Sequence, residues 1–265
     1  MSDVPDGPAV VEEPPEENIE IVDDGSAIKR ELARLSRRGF LTAGVAAAGM
    51  YAGWKWLNTR PAEDGLPWPL RRMLGVNERI AEGYFSTSRL SPTFSPDHVK
   101  PLRLNGNLGL DPSFDPSTWR LQIEGAASAV TLSMDDIRAL PRHEQITEFR
   151  CIEGWSVIVH WSGARLADLM SRFPPPQKRR YVSLETPDRG YYVGLDMASA
   201  VHPQTLLAYE LNGQALTREH GAPLRLAIPV KYGIKNIKRI GTIRYTDVRP
   251  ADFWAERGYD WYAGH

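Results

Sequence analysis

The chain contains one cysteine, Cys151, among its 265 residues. No internal disulfide can form, so burial of apolar side chains, 42% of the composition, must hold the fold together. A lone thiol of this kind is a buried inert side chain, a nucleophile or a metal ligand. The sequence around Cys151 is therefore needed to distinguish among these three roles.

The N-terminus has an unusual charge pattern. Residues 1–24 contain nine acidic side chains, four prolines and no Lys or Arg. Such a segment cannot bury enough apolar surface to offset the entropy of ordering. We therefore predict a disordered acidic tail and basic region over residues 1–35. The net charge of the whole chain is only −1, so no overall field indicates nucleic acid as a partner.

A basic cluster and an apolar run follow the acidic tail. The string SRRGFLTAG, residues 36–44, resembles a twin-arginine export signal, with an Arg pair ahead of Phe-Leu and an Ala/Gly-rich stretch. An Arg-rich cap on a buried helix is the alternative. We expect residues 36–57 to be a twin-arginine signal or a retained anchor, and Trp54 and Trp56 favour the anchor. Export would place the protein in the periplasm or on the outer face of the cytoplasmic membrane.

The rest of the chain predicts one α+β domain. Residues 58–97 are expected to form a linker and a helix, the helix over 67–85, and residues 86–117 a long irregular segment. Over residues 98–265 short strands alternate with a few short helices, which indicates a mainly antiparallel or mixed sheet. A doubly wound fold would need longer helices, and neither a G-x-G-x-x-G nor a Walker loop supports a nucleotide cofactor.

Individual elements can be placed from these patterns. Helices are predicted over residues 133–140, capped by Ser133, and 164–173. Strands are predicted over residues 119–125, 146–151, 181–186, 205–213, 223–229 and 240–248.

Two long motifs carry a resemblance to a known family. RCIEGWSVIVHWSGARL, residues 150–166, is similar to the molybdenum-ligand segment of the sulfite oxidase family, in the branch with the catalytic subunits of periplasmic methionine sulfoxide reductases. LLAYELNGQALTREHGAPLRLAIPVKYGIKNIKRI, residues 206–240, resembles that family's pterin-binding segment. The resemblance spans about residues 100–262. It implies a sulfite-oxidase-type domain with a molybdenum–molybdopterin cofactor and two-electron oxygen-atom transfer on a substrate such as a sulfoxide.

Cys151 is the metal ligand that the resemblance implies. Molybdenum in high oxidation states takes soft sulfur donors, and a thiolate is the natural protein ligand. The cysteine is predicted at the end of a strand, with Gly154 three residues later where backbone must approach something closely. Both features favour a metal ligand over an inert core thiol.

A basic segment is expected to bind the pterin phosphate. Six cations lie between Arg225 and Arg244, and residues 221–246 contain no acid, so we predict a strand–turn–strand that holds the phosphate. A solvated basic strand is the alternative. By resemblance, the cofactor-binding residues are Asn105, Leu108, Gly109, Thr186, His220, Arg225, Asn236, Ile237 and Lys238. Tyr259 resembles the tyrosine that reaches the substrate pocket, although a packed C-terminal aromatic residue is the plainer interpretation.

The substrate and the direction of reaction stay open at this point. The absence of a second arginine cluster favours a neutral sulfoxide over sulfite, but a sulfite-oxidising enzyme remains an alternative. A thiol hydrolase using Cys151 with His160, His202 or His220, and a non-catalytic electron carrier, are the others. With one cysteine the chain cannot contain a C-x-x-C-H haem site. An enzyme would therefore need a separate electron partner, a membrane haem protein or a soluble cytochrome.

Overall fold

The computed structural model describes residues 25–265, which divide into two compact units on either side of Asn58. The predicted tail over residues 1–24 lies outside the described part. The first unit consists of helix α1, Gly25–Asn58. Residues 25–35, the predicted basic region, belong to this helix. Helix α1 contains no proline and is rich in Ala, Leu, Arg and Lys, which favour helix.

The apolar part of α1 is short. Sixteen residues separate Arg38 from Lys55, whereas a membrane span needs about 20 predominantly apolar residues. Among residues 25–265, no helix combines the length and the apolar character needed to cross a membrane. The expected membrane anchor within 36–57 is therefore not found.

The second unit opens with a hairpin where a linker was expected. Strand β1 (Ala62–Glu63) pairs with β2 (Leu66–Pro67), and helix α2 (Trp68–Tyr84) follows directly. The turn is made by Asp64 and Gly65, both with positive φ, 48° and 78°. An Asp-Gly pair favours this turn because both residues tolerate the left-handed region.

Helix α2 confirms the helix predicted over residues 67–85, and polar as well as apolar side chains attach it to the unit. The apolar side chains Met73 and Ile80 are exposed. The polar side chains Arg71 and Glu78 instead reach the C-terminal part of the unit, where Arg71 bonds the carbonyl of Tyr259 and Glu78 pairs with Arg249. Hydrogen bonds and charge, as well as apolar burial, hold α2 in place.

Two sheets form the body of the second unit. Their elements are β3 (Leu121–Glu124), β4 (Val130–Leu132), α3 (Met134–Arg138), β5 (Arg142–Arg150), β6 (Ser156–Arg165), α4 (Leu166–Arg172), β7 (Tyr181–Glu185), β8 (Tyr192–Asp196), α5 (Met197–Ala200), β9 (Leu206–Leu211), β10 (Gln214–Ala215), β11 (Arg225–Ala227) and β12 (Thr242–Thr246). One sheet has the order β10-β9-β6-β5 with β11 also on β9, and the other has the order β4-β3-β12-β7-β8. Only β3 and β12 pair in parallel. The predicted α+β class with antiparallel and mixed sheets is confirmed.

Side chains of both sheets build the main core. Leu184 and Ile243 from one sheet and Leu207 and Leu226 from the other are fully buried in a single apolar cluster. A smaller cluster around Trp161 contains β9 and β6 side chains and packs against Phe149 and Trp155. Leu102 of this second cluster, and Phe149 and Trp155 packed against it, line the cavity described next.

Candidate active site

A cavity of about 330 Å³ opens beside Cys151. Its wall comes from a loop at 102–108, the turn after β5, the segment 220–238 and two aromatic residues near the C-terminus. The lining residues that the sequence predicted as site residues are Asn105, Leu108, Cys151, His220, Arg225, Asn236, Lys238 and Tyr259. Eight predicted residues from distant parts of the chain therefore meet in one cavity.

A tight turn places the cysteine in the cavity wall. Strand β5 ends at Arg150, and the Cys151 amide donates to the carbonyl of Trp155 at 2.9 Å, while the Gly154 amide donates back to Cys151 at 3.1 Å. Gly154 has φ of 86°, which favours glycine. Cys151 is 7% exposed, and the Asn105 amide lies 3.5 Å from its sulfur, where it can donate to a thiolate.

Arg225 is a buried cation that lacks an acidic partner among the described residues. Its guanidinium is 2% exposed and donates to the carbonyls of His220 and Asn236 at 3.0 and 3.2 Å. Its Nε atom and the Nδ1 atom of His220 are both buried without a hydrogen-bond partner in the described part of the chain. Burial lowers the pKa of Arg225 to about 10, so it stays charged near neutral pH. Unpartnered buried donors beside a cation are typical of an anion site.

Lys238 adds a second cation to the same wall. Its ammonium donates to the carbonyls of Asn105 and Gly106, both at 2.9 Å, and so ties the 102–108 loop to the basic segment. Burial, and then the neighbouring charge of Arg225, lower the pKa of Lys238 to about 8. Burial also lowers the pKa of His220, which is therefore neutral near pH 7. The cavity wall thus contains two cations from the basic segment.

Aromatic side chains also line the cavity. Trp254 and Tyr259 meet edge to face with ring centroids 5.2 Å apart, and Phe149 and Trp155 meet at 5.8 Å. The Trp155 indole donates to Glu153 at 3.0 Å, and this hydrogen bond lowers the pKa of that carboxyl. A cavity lined by two buried cations, aromatic rings and a thiol suits a ligand that carries an anionic group and a group that reacts at the sulfur of Cys151.

Comparison with known proteins identifies the family. Residues 108–254 match the model of the oxidoreductase molybdopterin binding domain. The chain belongs to this family. The resemblance to sulfite oxidases is thus confirmed, and the domain is a molybdopterin-dependent oxidoreductase.

Several known proteins are similar to this chain. A candidate protein-methionine-sulfoxide reductase subunit of Azospira oryzae, YedZ1, is 30% identical over 86% of this chain and 88% of its own length. The protein-methionine-sulfoxide reductase catalytic subunit MsrP of Campylobacter jejuni is 36% identical over 64% of this chain, and that of Ralstonia nicotianae 36% over 61%. The chain spans 62% and 52% of these two relatives. The sulfane dehydrogenase SoxCD of Paracoccus pantotrophus superposes with a TM-score of 0.49 at 18% identity, over 61% of this chain and 49% of that one.

The residues of the cavity fit a molybdopterin. Arg225 and Lys238 would hold its phosphate, and the unpartnered Nε donor of Arg225 would gain an acceptor there. Among the described residues, no group of three or more His, Cys, Asp or Glu side chains could hold a metal alone. A metal bound by Cys151 would therefore need at least one ligand other than these four types of side chain, and a pterin could supply it.

Three predicted residues lie behind the cavity wall instead of in it. Gly109 has φ of 68°, and a Cβ there would come within 2.4 Å of the Thr186 side chain, so the two residues pack together. The Thr186 hydroxyl is occupied by Asp188 at 2.6 Å and the amide of Tyr191 at 3.1 Å. Ile237 is fully buried, and its amide and carbonyl are bonded to other backbone groups. Their predicted contacts with the cofactor stay predictions.

The strand–turn–strand predicted for the basic segment is wrong. β11 and β12 lie in different sheets, and residues 228–241 cross between them through a short 3-10 turn at 233–235. Only Arg225 and Lys238 of the six cations line the cavity. The other four have separate surroundings: Lys235 pairs with Asp252, Arg244 pairs with Glu124, Arg239 bonds the carbonyls of Asp111 and Ala222, and Lys231 is buried 3.8 Å from Asp196.

Several lining residues were not predicted. Glu153, Trp155, Trp254 and Arg103 line the cavity but were not among the predicted site residues. The clustering of aromatic residues in DFWAERGYDWY, residues 252–262, was the available signal for Trp254. No comparable pattern marks Arg103, whose guanidinium lies 5.7 Å from the Trp155 ring centroid.

Proposed function

We propose that this domain reduces a sulfoxide, and specifically methionine sulfoxide carried by a polypeptide, outside the cytoplasm. The observation that carries the proposal is the cavity that joins Cys151, the cationic pair Arg225 and Lys238, and Tyr259. The names of the relatives, protein-methionine-sulfoxide reductases, support the choice of substrate.

Charge around the cysteine favours a neutral substrate. Arg103 and Glu153 both line the cavity, and the carboxylate of Glu153, which interacts electrostatically with Arg103, helps to offset the charge of that arginine. A dianion such as sulfite would need an excess of positive charge at that position. A sulfoxide is neutral, and its apolar substituents suit walls made of Phe149, Trp155 and Trp254.

The rim of the cavity favours a polypeptide as the carrier of the sulfoxide. Leu104, Leu108 and Ile152 are 57%, 41% and 40% exposed on the two segments that border the opening. Apolar side chains exposed around a cavity are typical of a surface that binds another molecule. A flexible protein segment would cover them while its methionine sulfoxide enters.

Three lining residues have a definite task in this reaction. When bound, the molybdenum cofactor supplies two-electron oxygen-atom-transfer chemistry. Cys151 provides the thiolate, and the amide of Asn105 at 3.5 Å can stabilise its negative charge. Tyr259 can donate a hydrogen bond to the sulfoxide oxygen. The balanced reduction consumes two electrons and two protons per sulfoxide and releases the sulfide and water.

The electrons have to come from a separate partner. The sequence contains no C-x-x-C-H motif, so we propose a membrane haem protein or a soluble cytochrome as donor. The string SRRGFLTAG in α1, with both arginines exposed, supports export by the twin-arginine machinery. This route carries folded proteins, as a cofactor inserted before transport would require.

Replacement of Cys151 by Ser tests the proposal. Native protein from a molybdenum-competent host should contain molybdenum and pterin, and should reduce methionine sulfoxide, free and in an oxidised protein, with an artificial electron donor. The Ser variant replaces a soft donor by a hard, poorly ionised one. It should keep its pterin, because Arg225 and Lys238 are unchanged, and lose turnover.

Two outcomes would contradict the proposal. A Cys151→Ser variant that retains both turnover and the thiolate-to-metal absorption would show that Cys151 is not the ligand. Native, cofactor-loaded protein that oxidises sulfite but reduces no sulfoxide would overturn the substrate assignment while leaving the metal site intact.

A further inference from the structure

The loop that carries Tyr259 is held differently at its two ends. We name residues 254–259 the cavity loop, because Trp254 and Tyr259 line the cavity. At its start, the carboxylate of Asp252 accepts from the amides of Trp254 and Ala255 at 3.2 and 3.1 Å. At its end, the Tyr259 amide donates to the carbonyl of Trp254 at 3.0 Å, directly after Gly258 in the left-handed region.

Helix α2 reaches the end of this loop through one side chain. The Nη1 atom of Arg71 donates to the carbonyl of Tyr259 at 3.0 Å. Its Nη2 atom lies 3.0 Å from the carboxylate of Asp64 in the hairpin turn, and the Arg71 side chain is only 19% exposed. The guanidinium is therefore oriented by Asp64 on one side and contacts the cavity loop on the other.

The hairpin packs on the same loop. A Cβ placed on Gly65 would lie 3.3 Å from the backbone of Arg257, and a Cβ on Gly258 would lie 3.1 Å from the side chain of Leu66. Both glycines have positive φ, 78° and 92°. Two turns that approach this closely leave little room for the cavity loop to shift while the hairpin stays in place.

We infer that Arg71 is a positioning residue, which sets the phenol of Tyr259 in the cavity through the Tyr259 backbone. Asp64 in turn orients Arg71. The inference rests on the proposed function for the role of Tyr259 in turnover, but not for the contact itself. Tyr259 is 37% exposed, so burial alone holds its ring weakly. A charge-assisted hydrogen bond to its carbonyl is a contact strong enough to fix the loop end.

Hydrogen exchange tests the contact without any turnover. We compare Arg71→Gln with Arg72→Gln, a matched control because Arg72 is the next residue of α2, is exposed and stacks on Trp68 at 4.5 Å. In Arg71→Gln, amides of the cavity loop should exchange about tenfold faster, which corresponds to about 1.4 kcal/mol. Exchange in the turn that carries Cys151 should not change. Equal exchange of the cavity loop in the two variants would overturn the inference.

Milder variants keep the test decisive if Arg71→Gln folds poorly. Asp64→Asn retains Arg71 but removes its ionic partner, so exchange of the cavity loop should rise by less than in Arg71→Gln. Arg71→Lys keeps the charge and should restore part of the protection. Exchange as slow as in the native protein after Asp64→Asn would show that the carboxylate does not orient the arginine.

Turnover gives the second readout. Arg71→Gln should lower kcat for sulfoxide reduction about as much as Tyr259→Phe does, at unchanged pterin content, because both act through the same phenol. The double variant should then be no slower than Tyr259→Phe alone. Additive losses would show that Arg71 does not act through Tyr259. If the native protein reduces no sulfoxide, the proposed function fails, and the exchange experiment still decides the positioning role.

Discussion

The pH dependence of cofactor binding should reveal Lys238. In the cofactor-free protein, burial and the charge of Arg225 lower the pKa of Lys238 to about 8. A bound phosphate stabilises the ammonium and raises that pKa, so binding takes up a proton between the free and the bound value. The charge of Lys238 therefore contributes fully to affinity below pH 8. Its contribution falls as the pH rises above 8.

The size of the effect follows from this pKa. About nine tenths of Lys238 is charged at pH 7 and about one tenth at pH 9, so affinity for molybdopterin should fall up to about tenfold between these two values. Lys238→Met should bind about ten- to a hundredfold more weakly at pH 7, because it lacks a charged hydrogen bond of about 1.5–3 kcal/mol. Its affinity should depend much less on pH over this range. Lys238→Arg should bind well at both pH values, since arginine does not lose its proton.

Reconstitution of cofactor-free protein measures these affinities. Apoprotein is titrated with isolated molybdopterin at pH 7 and pH 9, and bound pterin is quantified by its fluorescence after release and oxidation. If the affinity for molybdopterin has the same pH dependence in native protein and in Lys238→Met, Lys238 does not hold the phosphate. Loss of binding by Lys238→Arg would show that the contacts of Lys238 with Asn105 and Gly106, and not its charge, matter.

Two further predictions concern export and stability. Replacing Arg37 and Arg38 together by Lys should trap folded, cofactor-loaded protein in the cytoplasm, as measured by cell fractionation. Normal export of this double variant would exclude the twin-arginine route. Asp252→Ala should destabilise the fold by about 3–5 kcal/mol in denaturant unfolding, because Asp252 and Lys235 are each 1% exposed and the ammonium would be left buried and unpaired. Glu124→Ala, which breaks a half-exposed pair, should cost less than about 1 kcal/mol and serves as the control.

The elements with a strong local signal were predictable from sequence. Ser133 caps α3 as expected, with Asp136 completing a capping box, and the helix of residues 67–85 formed. Strand β6 was not predicted, although it is ten residues long and pairs with both β5 and β9. Its sequence SVIVHWSGAR lacks regular alternation, and the register shift between Ser162 and Gly163 explains why.

The candidate site was predictable where the resemblance to the family marked it, in the two long motifs and also at Asn105, Leu108 and Tyr259. Cys151, Arg225 and Lys238 lie in the two long motifs and reach the cavity. Composition alone suggested that all six cations of the basic segment act together. It could not show that Lys235 instead forms a buried ion pair with Asp252. The role of α2 was also invisible, since the contact between Arg71 and Tyr259 joins residues 188 positions apart.

The distribution of the cavity wall along the chain has a consequence for biogenesis. The wall begins at Leu102 and ends at Tyr259, and the segment 228–241 within it joins one sheet to the other. Contacts over such sequence separations form late in folding. A nascent chain therefore has no complete cavity until both sheets have assembled and the residues up to Tyr259 have left the ribosome. Stable retention of a pterin in this cavity would thus report that these residues have been synthesised and folded.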